Sequence, residues 1–271
     1  KMASDHQDQK SFTGESDLPR WARDLKERIG ARMTSVFILH FNVADEVRFG
    51  DQFVSIESFL GRWLAGDDRM VAYDRSHGLR FSHHDTEALF RKVTGFTQEA
   101  EAAKRRALTA LGQAVPPERE LPTHPTKVLS LLETAIRSGC FGAREGPALL
   151  VLIGYAETLV PDAELSSMSD DDRTNLVTFL RWAADPEMLR SGVAVILTVG
   201  NLADLHAQLR GPASRVETIE IPLPTLSERA EYIQHLQAAN GFTMEMSPEQ
   251  LAHVTAGLSR LHLKTLCRRA S

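Results

Sequence analysis

Short apolar segments that alternate with longer stretches of helical periodicity are the feature that most constrains the fold of this chain. They cover residues 35–41, 70–73, 147–153, 193–199 and 218–221. The run at 147–153 (Pro-Ala-Leu-Leu-Val-Leu-Ile) is the strongest, and a continuously apolar run is typical of a parallel strand that is covered on both faces. Strands that alternate with helices in this way predict an α/β domain built on a parallel sheet.

The pattern changes near residue 224, after which every periodic segment is helical. We therefore predict an α/β core domain over residues 17–224 and a small C-terminal helical subdomain over residues 225–271. Residues 1–16 are polar and lack apolar periodicity, so the sequence predicts a flexible tail there.

Composition narrows the class of partner. A net charge of -5 and a pI near 6.1 argue against a dedicated nucleic-acid-binding protein, which usually carries a basic excess. The sequence contains no 18-residue apolar stretch and no signal-peptide pattern at its start, so a membrane is not an expected partner either. Two cysteines are too few for a disulfide framework, and a cytoplasmic location is expected.

A series of motifs follows in a definite order over about 120 residues from position 147. An apolar strand is followed by a capped helix, and a second apolar strand ends at Asn201. Next come an arginine-bearing segment at 209–215, a last strand with a proline-marked hinge at 219–224, and a Gly-x-Ser turn leading into a helix that ends Leu-Cys-Arg-x-Ala. This order resembles the AAA+ ATPases, most closely the narrower AAA family, and it implies an AAA+-like core with a helical lid.

The departures from this family pattern concern the parts that bind phosphate. A phosphate-binding loop needs Gly-x-x-x-x-Gly-Lys-Ser/Thr, and the sequence contains no Gly-Lys pair. The first strand is followed instead by a segment that ends in Asp45 and Glu46, which would repel a triphosphate. Gly154 and Tyr155 stand where the family has its paired Walker B acids. The sequence therefore predicts degenerate Walker A and Walker B motifs, no catalytic residue and no metal ligand.

Four residues are candidates for positions next to a nucleotide, if one binds. Asn201 matches the polar residue of the family's sensor-1 strand, although Gly-Asn is also a common turn pair. Glu157 is a displaced remnant of the Walker B acids or a plain loop carboxylate, and Arg260 senses phosphate from the lid or merely begins a helix. The candidates are Asn42, Glu157, Asn201 and Arg260.

Two further residues are candidates for arginine fingers or for an interface with another subunit. The resemblance places Arg210 and Arg215 in the segment that carries fingers aimed at a neighbour's ATP. The alternative is that they are surface or hinge arginines paired with Glu217 or Glu220.

The first functional hypothesis is a nucleotide-site-degenerate AAA+ module that forms a structural or regulatory part of an ATP-driven remodelling assembly. Its expected partners are copies of itself or other AAA modules, in a ring or stack, and an unidentified protein client. No cofactor is assigned to this chain, and ATP with Mg²⁺ is expected in a partner or in a downstream module. The early end of the lid implies the N-terminal module of a longer bacterial AAA ATPase. The alternatives are an active AAA ATPase with a non-standard phosphate site around residues 41–46, and a partner-binding adaptor.

Overall fold

The computed structural model describes residues 18–96, 106–107, 109–111, 120–142, 146–240 and 245–270. The predicted flexible tail at residues 1–16 lies outside the described residues.

A six-stranded sheet organises the core, with the strand order β5-β4-β6-β7-β1-β8. All neighbouring pairs are parallel except β4 and β5, which form an antiparallel edge. A separate two-stranded hairpin, β2–β3, follows β1. The strands are Val36–Phe41 (β1), Glu46–Phe49 (β2), Gln52–Ser55 (β3), Met70–Asp74 (β4), Gly78–Phe81 (β5), Leu149–Ile153 (β6), Val193–Val199 (β7) and Glu217–Ile221 (β8).

Helices cover both faces of this sheet and then form the C-terminal part of the chain. Those of the core are Arg20–Ala31 (α1), Ile56–Leu64 (α2), His84–Thr94 (α3), Pro125–Arg137 (α4), Asp170–Ala184 (α5), Pro186–Arg190 (α6) and Ala207–Arg210 (α7). Those of the C-terminal part are Leu226–Asn240 (α8), Pro248–Val254 (α9) and Arg260–Ala270 (α10).

The predicted sheet is confirmed at its centre. Val195 of β7 pairs with Val36 of β1 on one side and with Val151 of β6 on the other, so the three strands expected from the strongest apolar runs are neighbours. The mixed α/β architecture with a mostly parallel sheet and a helical second part is the fold class that the sequence predicts.

Alternating residues of the strands send their side chains to opposite faces of the sheet, as strand geometry requires. In β1, Val36 and Ile38 join the core beneath α3, α4 and α5, while Phe37 and Leu39 join the core beneath α1 and α2. All four side chains are fully buried. The continuously apolar strands are thus explained by a three-layer arrangement of helix, sheet and helix.

The connections that leave β1 and β7 diverge at the carboxyl edge of the sheet. The chain after β1 leads to α2 on one face, whereas the chain after β7 leads to Leu205 and Leu209 of the opposite face. Adjacent parallel strands whose connections diverge create a crevice, and in open α/β sheets ligands bind at this switch point. A ligand site is therefore expected at the switch point between β1 and β7.

The apolar residues Phe53, Ile56, Phe59 and Leu60 recur at helical spacing and predict a helix over residues 53–64, but the structure differs at its start. Phe53 belongs to β3, and the helix begins only at Ile56 with Ser55 as its cap. The reason is the hairpin turn at Gly50-Asp51, where Gly50 adopts a left-handed conformation with φ of 61°. Gly-Asp between two strand-like segments is a hairpin signal that the apolar spacing of 53–64 obscured.

The C-terminal helices pack around a small core of their own. Its buried side chains include Tyr232, Ile233 and Leu263, and Phe53 of the hairpin packs against it. The helix α9 begins with a capping box in which Ser247 and Gln250 exchange hydrogen bonds. These helices form the lid. Among the helices of the described residues, none is long and apolar enough to span a bilayer.

Candidate functional site

The loop that follows β1 reaches the lid through Asp45. This carboxylate is buried, and it accepts hydrogen bonds from the backbone amides of Arg260 (3.1 Å) and Leu261 (3.0 Å) at the start of α10. Asn42 donates to the same carboxylate at 2.9 Å and to the carbonyl of Pro222 at 3.3 Å. A carboxylate at a helix N-terminus satisfies free amides and complements the helix dipole. The loop after the central strand therefore caps a lid helix.

Glu46, the next residue, binds the lid with its side chain. Its two carboxylate oxygens accept hydrogen bonds from the Lys264 ammonium and from the Tyr232 hydroxyl, both at 2.6 Å. Burial, and then the hydrogen bond to Glu46, raises the pKa of Tyr232, so the phenol stays protonated and donates. Both acids after β1 are thus matched with donors of the lid.

Arg260 lies at the centre of this contact, with only 8% of its surface exposed. Its guanidinium donates to the carbonyl of Glu46 at 3.2 Å and pairs with Glu228 at 3.3 Å. It lies 5.8 Å from the centre of the Phe53 ring and 3.8 Å from a carboxylate oxygen of Asp45. Its Nε is buried and finds no hydrogen-bond partner among the described residues. The structure therefore brings Arg260 and Asn42 together through Asp45.

Asn201 follows β7, on the other side of the crevice. Its side chain accepts a hydrogen bond from the amide of Ala203 and donates to Asp204, both at 3.1 Å. These bonds cap the short 3-10 turn Leu202–Asp204. Asn201 is exposed and makes the contacts of a turn residue, which matches the structural alternative for this position.

Glu157 follows β6 in the 3-10 turn Ala156–Thr158, and one of its carboxylate oxygens is buried without a hydrogen-bond partner. Gly154 continues β6 and donates to the carbonyl of Tyr73 at 2.8 Å. Tyr155 is 67% exposed and left-handed, with φ of 53°. Gly154 and Tyr155, which the resemblance aligns with the Walker B acids, therefore carry no carboxylate that could hold a metal ion.

The nearest buried acid at this edge is Asp74, at the end of β4. Burial disfavours its charge, but hydrogen bonds from the His77 amide, the Arg80 guanidinium and the Ser76 amide outweigh burial and lower the pKa of Asp74 to about 2. Arg80 also pairs with Glu57 at 3.0 Å. Asp74 is ionised and already satisfied within its own turn.

Arg210 and Arg215 have different environments. The Arg210 guanidinium donates to the carbonyl of Leu205 at 2.9 Å and pairs with Asp162 at 3.1 Å, so it links the segment after β7 to the segment after β6. Arg215 is exposed and left-handed, with φ of 57°, and neither Glu217 nor Glu220 is among the partners found for it in the described residues. Arg215 is therefore the arginine that another molecule can reach.

Sequence reasoning missed the partners of the two acids. Lys264, Tyr232 and the amides at the start of α10 belong to the lid, about 200 residues from the two acids, and nothing in the local sequence predicts these contacts. The only available signal was a pair of adjacent acids at the end of a central strand. Such acids need cations or amide donors when they are buried.

The sheet order and the helical lid that contacts the loop after β1 together define an AAA+-type module. Residues 8–222 match the family model described as the AAA+ chaperone, N-terminal Rossmann-like domain, and residues 227–271 match the model described as the AAA+ chaperone, second helical domain. The chain belongs to this AAA+ chaperone family. No curated protein matches the chain significantly.

Proposed function

We propose that this chain is a non-hydrolysing AAA+ module that serves as a structural or regulatory part of an ATP-driven remodelling assembly. The proposal treats residues 17–224 as the core and residues 225–271 as the lid. One observation carries it: the acids after β1, Asp45 and Glu46, face the cations and amides of the lid.

A triphosphate with Mg²⁺ does not fit this arrangement. Catalysis of phosphoryl transfer depends on amide donors, a lysine and acids that hold the metal. Here Asp45 and Glu46 place negative charge where the phosphates would need donors. Lys264 and Arg260 are paired with protein groups, and Gly154 and Tyr155 stand at the Walker B acid positions.

The regulatory part of the proposal rests on Arg215. Its exposed guanidinium lies in the segment that resembles the family's finger segment, next to the edge strand β8. An exposed arginine can bind carboxylate or phosphate groups of a neighbouring subunit, because its planar fork pairs with both. Its partner is another AAA module, which supplies the ATP and the Mg²⁺.

The test combines binding and turnover. Isothermal titration with ATP and Mg²⁺ should give no binding in the micromolar range, and phosphate release by the purified chain should equal that of buffer. Turnover that the Glu157→Gln substitution abolishes would contradict the proposal and favour an active ATPase with a rebuilt phosphate site.

Sedimentation measurements separate the module from a partner-binding adaptor that never assembles. A ring or stack component should sediment with a mass that rises with protein concentration, or it should join an intact AAA ATPase. A strictly monomeric chain that binds no AAA module would contradict assembly and leave the adaptor as the better description.

A further inference from the structure

The lid turns a set of anion-binding donors toward the segment that follows β1. They are the amides of Arg260 and Leu261 at the start of α10, the Lys264 ammonium and the Tyr232 hydroxyl. Free amides at a helix N-terminus beside cations are a common protein site for phosphate or carboxylate. In this structure the chain's own side chains use all of these donors.

All four carboxylate oxygens of the two acids accept hydrogen bonds from the lid. Asp45 accepts with both oxygens at 3.0–3.1 Å, and its side chain is 2% exposed. Glu46 accepts with both oxygens at 2.6 Å, and its side chain is 17% exposed. If either carboxylate left, donors of the lid would lose their partners, so these bonds hold the lid against the core.

On the lid side, the guanidinium of Arg260 lacks a full set of hydrogen-bond acceptors. Its Nε is buried without a partner, and its nearest approach to Asp45, 3.8 Å, is longer than a hydrogen bond. A guanidinium offers five donors in a fixed fork. The aspartate side chain uses the helix amides beside this fork and leaves part of the fork unused.

We propose that Asp45 and Glu46 are an internal substitute for a polyphosphate anion: they occupy the anion-binding groups of the lid and hold it closed on the core. This inference rests on the proposed function, since a site filled by the chain's own carboxylates is closed to ATP. Removal of the two negative charges frees Arg260, Lys264 and the α10 amides, and these groups then bind a compact oxyanion.

The test uses the whole chain, the double variant Asp45→Asn with Glu46→Gln, and inorganic pyrophosphate as the probe. Both substitutions keep the side-chain shape and remove one charge each. Isothermal titration should give pyrophosphate affinity at least about tenfold higher than in wild type, because two repulsive charges are gone and the cations are released. Hydrogen exchange of the peptide over residues 258–266 should slow when pyrophosphate is added to the variant.

A matched control variant removes two negative charges at other positions. The variant Glu27→Gln with Asp51→Asn changes two exposed acids, on α1 and at the hairpin turn, and should bind pyrophosphate as weakly as wild type does. Equal affinity in the two double variants would overturn the inference. If the Asp45 and Glu46 double variant does not fold, Glu46→Gln alone is compared with Glu27→Gln, and a smaller gain in the same direction is expected.

Wild type provides the measurement that separates this inference from the proposed function. Its lid peptide should show the same exchange with and without millimolar pyrophosphate. A response of the wild-type lid without ATP turnover would overturn only the internal substitute, whereas ATP turnover by wild type would contradict the proposed function itself.

Discussion

The carboxylate of Asp45 caps the helix that begins at Arg260, although 215 positions of sequence separate the two residues. The Asp45→Ala substitution should therefore destabilise the chain, since it removes the acceptor of the Arg260 and Leu261 amides and one of the two carboxylates near the Arg260 guanidinium. The expected loss is about 1–3 kcal/mol in the free energy of unfolding, measured by urea denaturation. Asp51→Ala, at an exposed hairpin turn, should change this free energy by less than about 0.5 kcal/mol. Equal losses in both variants would contradict the capping role.

Low pH should lower the free energy of unfolding, partly through protonation of Glu133. The hydrogen bonds from Arg181 lower the pKa of Glu133 most strongly, and Arg137 and Trp182 lower it further. Burial acts in the opposite direction, and the net result is a pKa of about 2 instead of 4.5. The unfolded chain therefore binds this proton more readily, and the stabilisation is complete above about pH 4.5 and is lost as the pH falls toward 2. The Glu133→Gln variant should show a shallower dependence of unfolding free energy on pH in that window.

Asp74, with a pKa of about 2, contributes in the same direction and remains in this variant, so a residual slope is expected. Glu27→Gln, on an exposed position of α1, should keep the wild-type slope. An unchanged slope in Glu133→Gln would show that its ion pairs do not contribute to acid sensitivity.

The two arginines of the finger-like segment should respond differently to mutation. Arg210→Ala removes the bonds to Leu205 and Asp162 and should lower stability by about 1 kcal/mol, as measured by thermal or urea unfolding. Arg215→Glu should leave the unfolding transition unchanged and weaken assembly in sedimentation velocity experiments. Assembly that is insensitive to the charge at position 215 would remove Arg215 from the proposed interface.

Restoring an acid at a Walker B position should not restore activity. Gly154→Asp would place its Cβ about 3.7 Å from the Cβ of Asp74, so two carboxylates would compete in one small space. We expect lower stability and, on the proposed function, no ATP turnover in a phosphate-release assay, because an acid alone does not position a triphosphate. Gly154→Ala, which finds only ordinary contacts, is the control for the added Cβ. Turnover by Gly154→Asp would mean that a phosphate pocket already exists.

The sheet was predictable because its strands are buried on both faces, which leaves an apolar run that no exposed segment imitates. The pairing of Val36, Val151 and Val195 follows from such runs together with the family's motif order. The hairpin was not predicted, because Phe53, Ile56 and Phe59 repeat at helical spacing across a boundary that Ser55 marks only as a cap.

The candidate site was predictable in its parts and not in its connections. Asn42 and Arg260 were recognised as separate positions, and the adjacent acids were expected to repel phosphate. What brings them together is the close approach of α10 to the loop after β1, a tertiary contact between distant segments of the chain. Periodicity and motif spacing report on neighbours in sequence, so a contact of this kind leaves no local pattern.

The hairpin β2–β3 also has a mechanical consequence. The lid is joined to the core by the covalent segment between Ile221 and Leu226. It is joined independently through Tyr232, which donates a hydrogen bond to Glu46 and packs its ring against Phe53. Two attachments at separate points restrict rotation about either one. A pull on the lid is therefore transmitted through the hairpin into β1, which is paired with β7 on one side and with β8 on the other. A neighbouring motor that pulls on this lid would move the entire core with it.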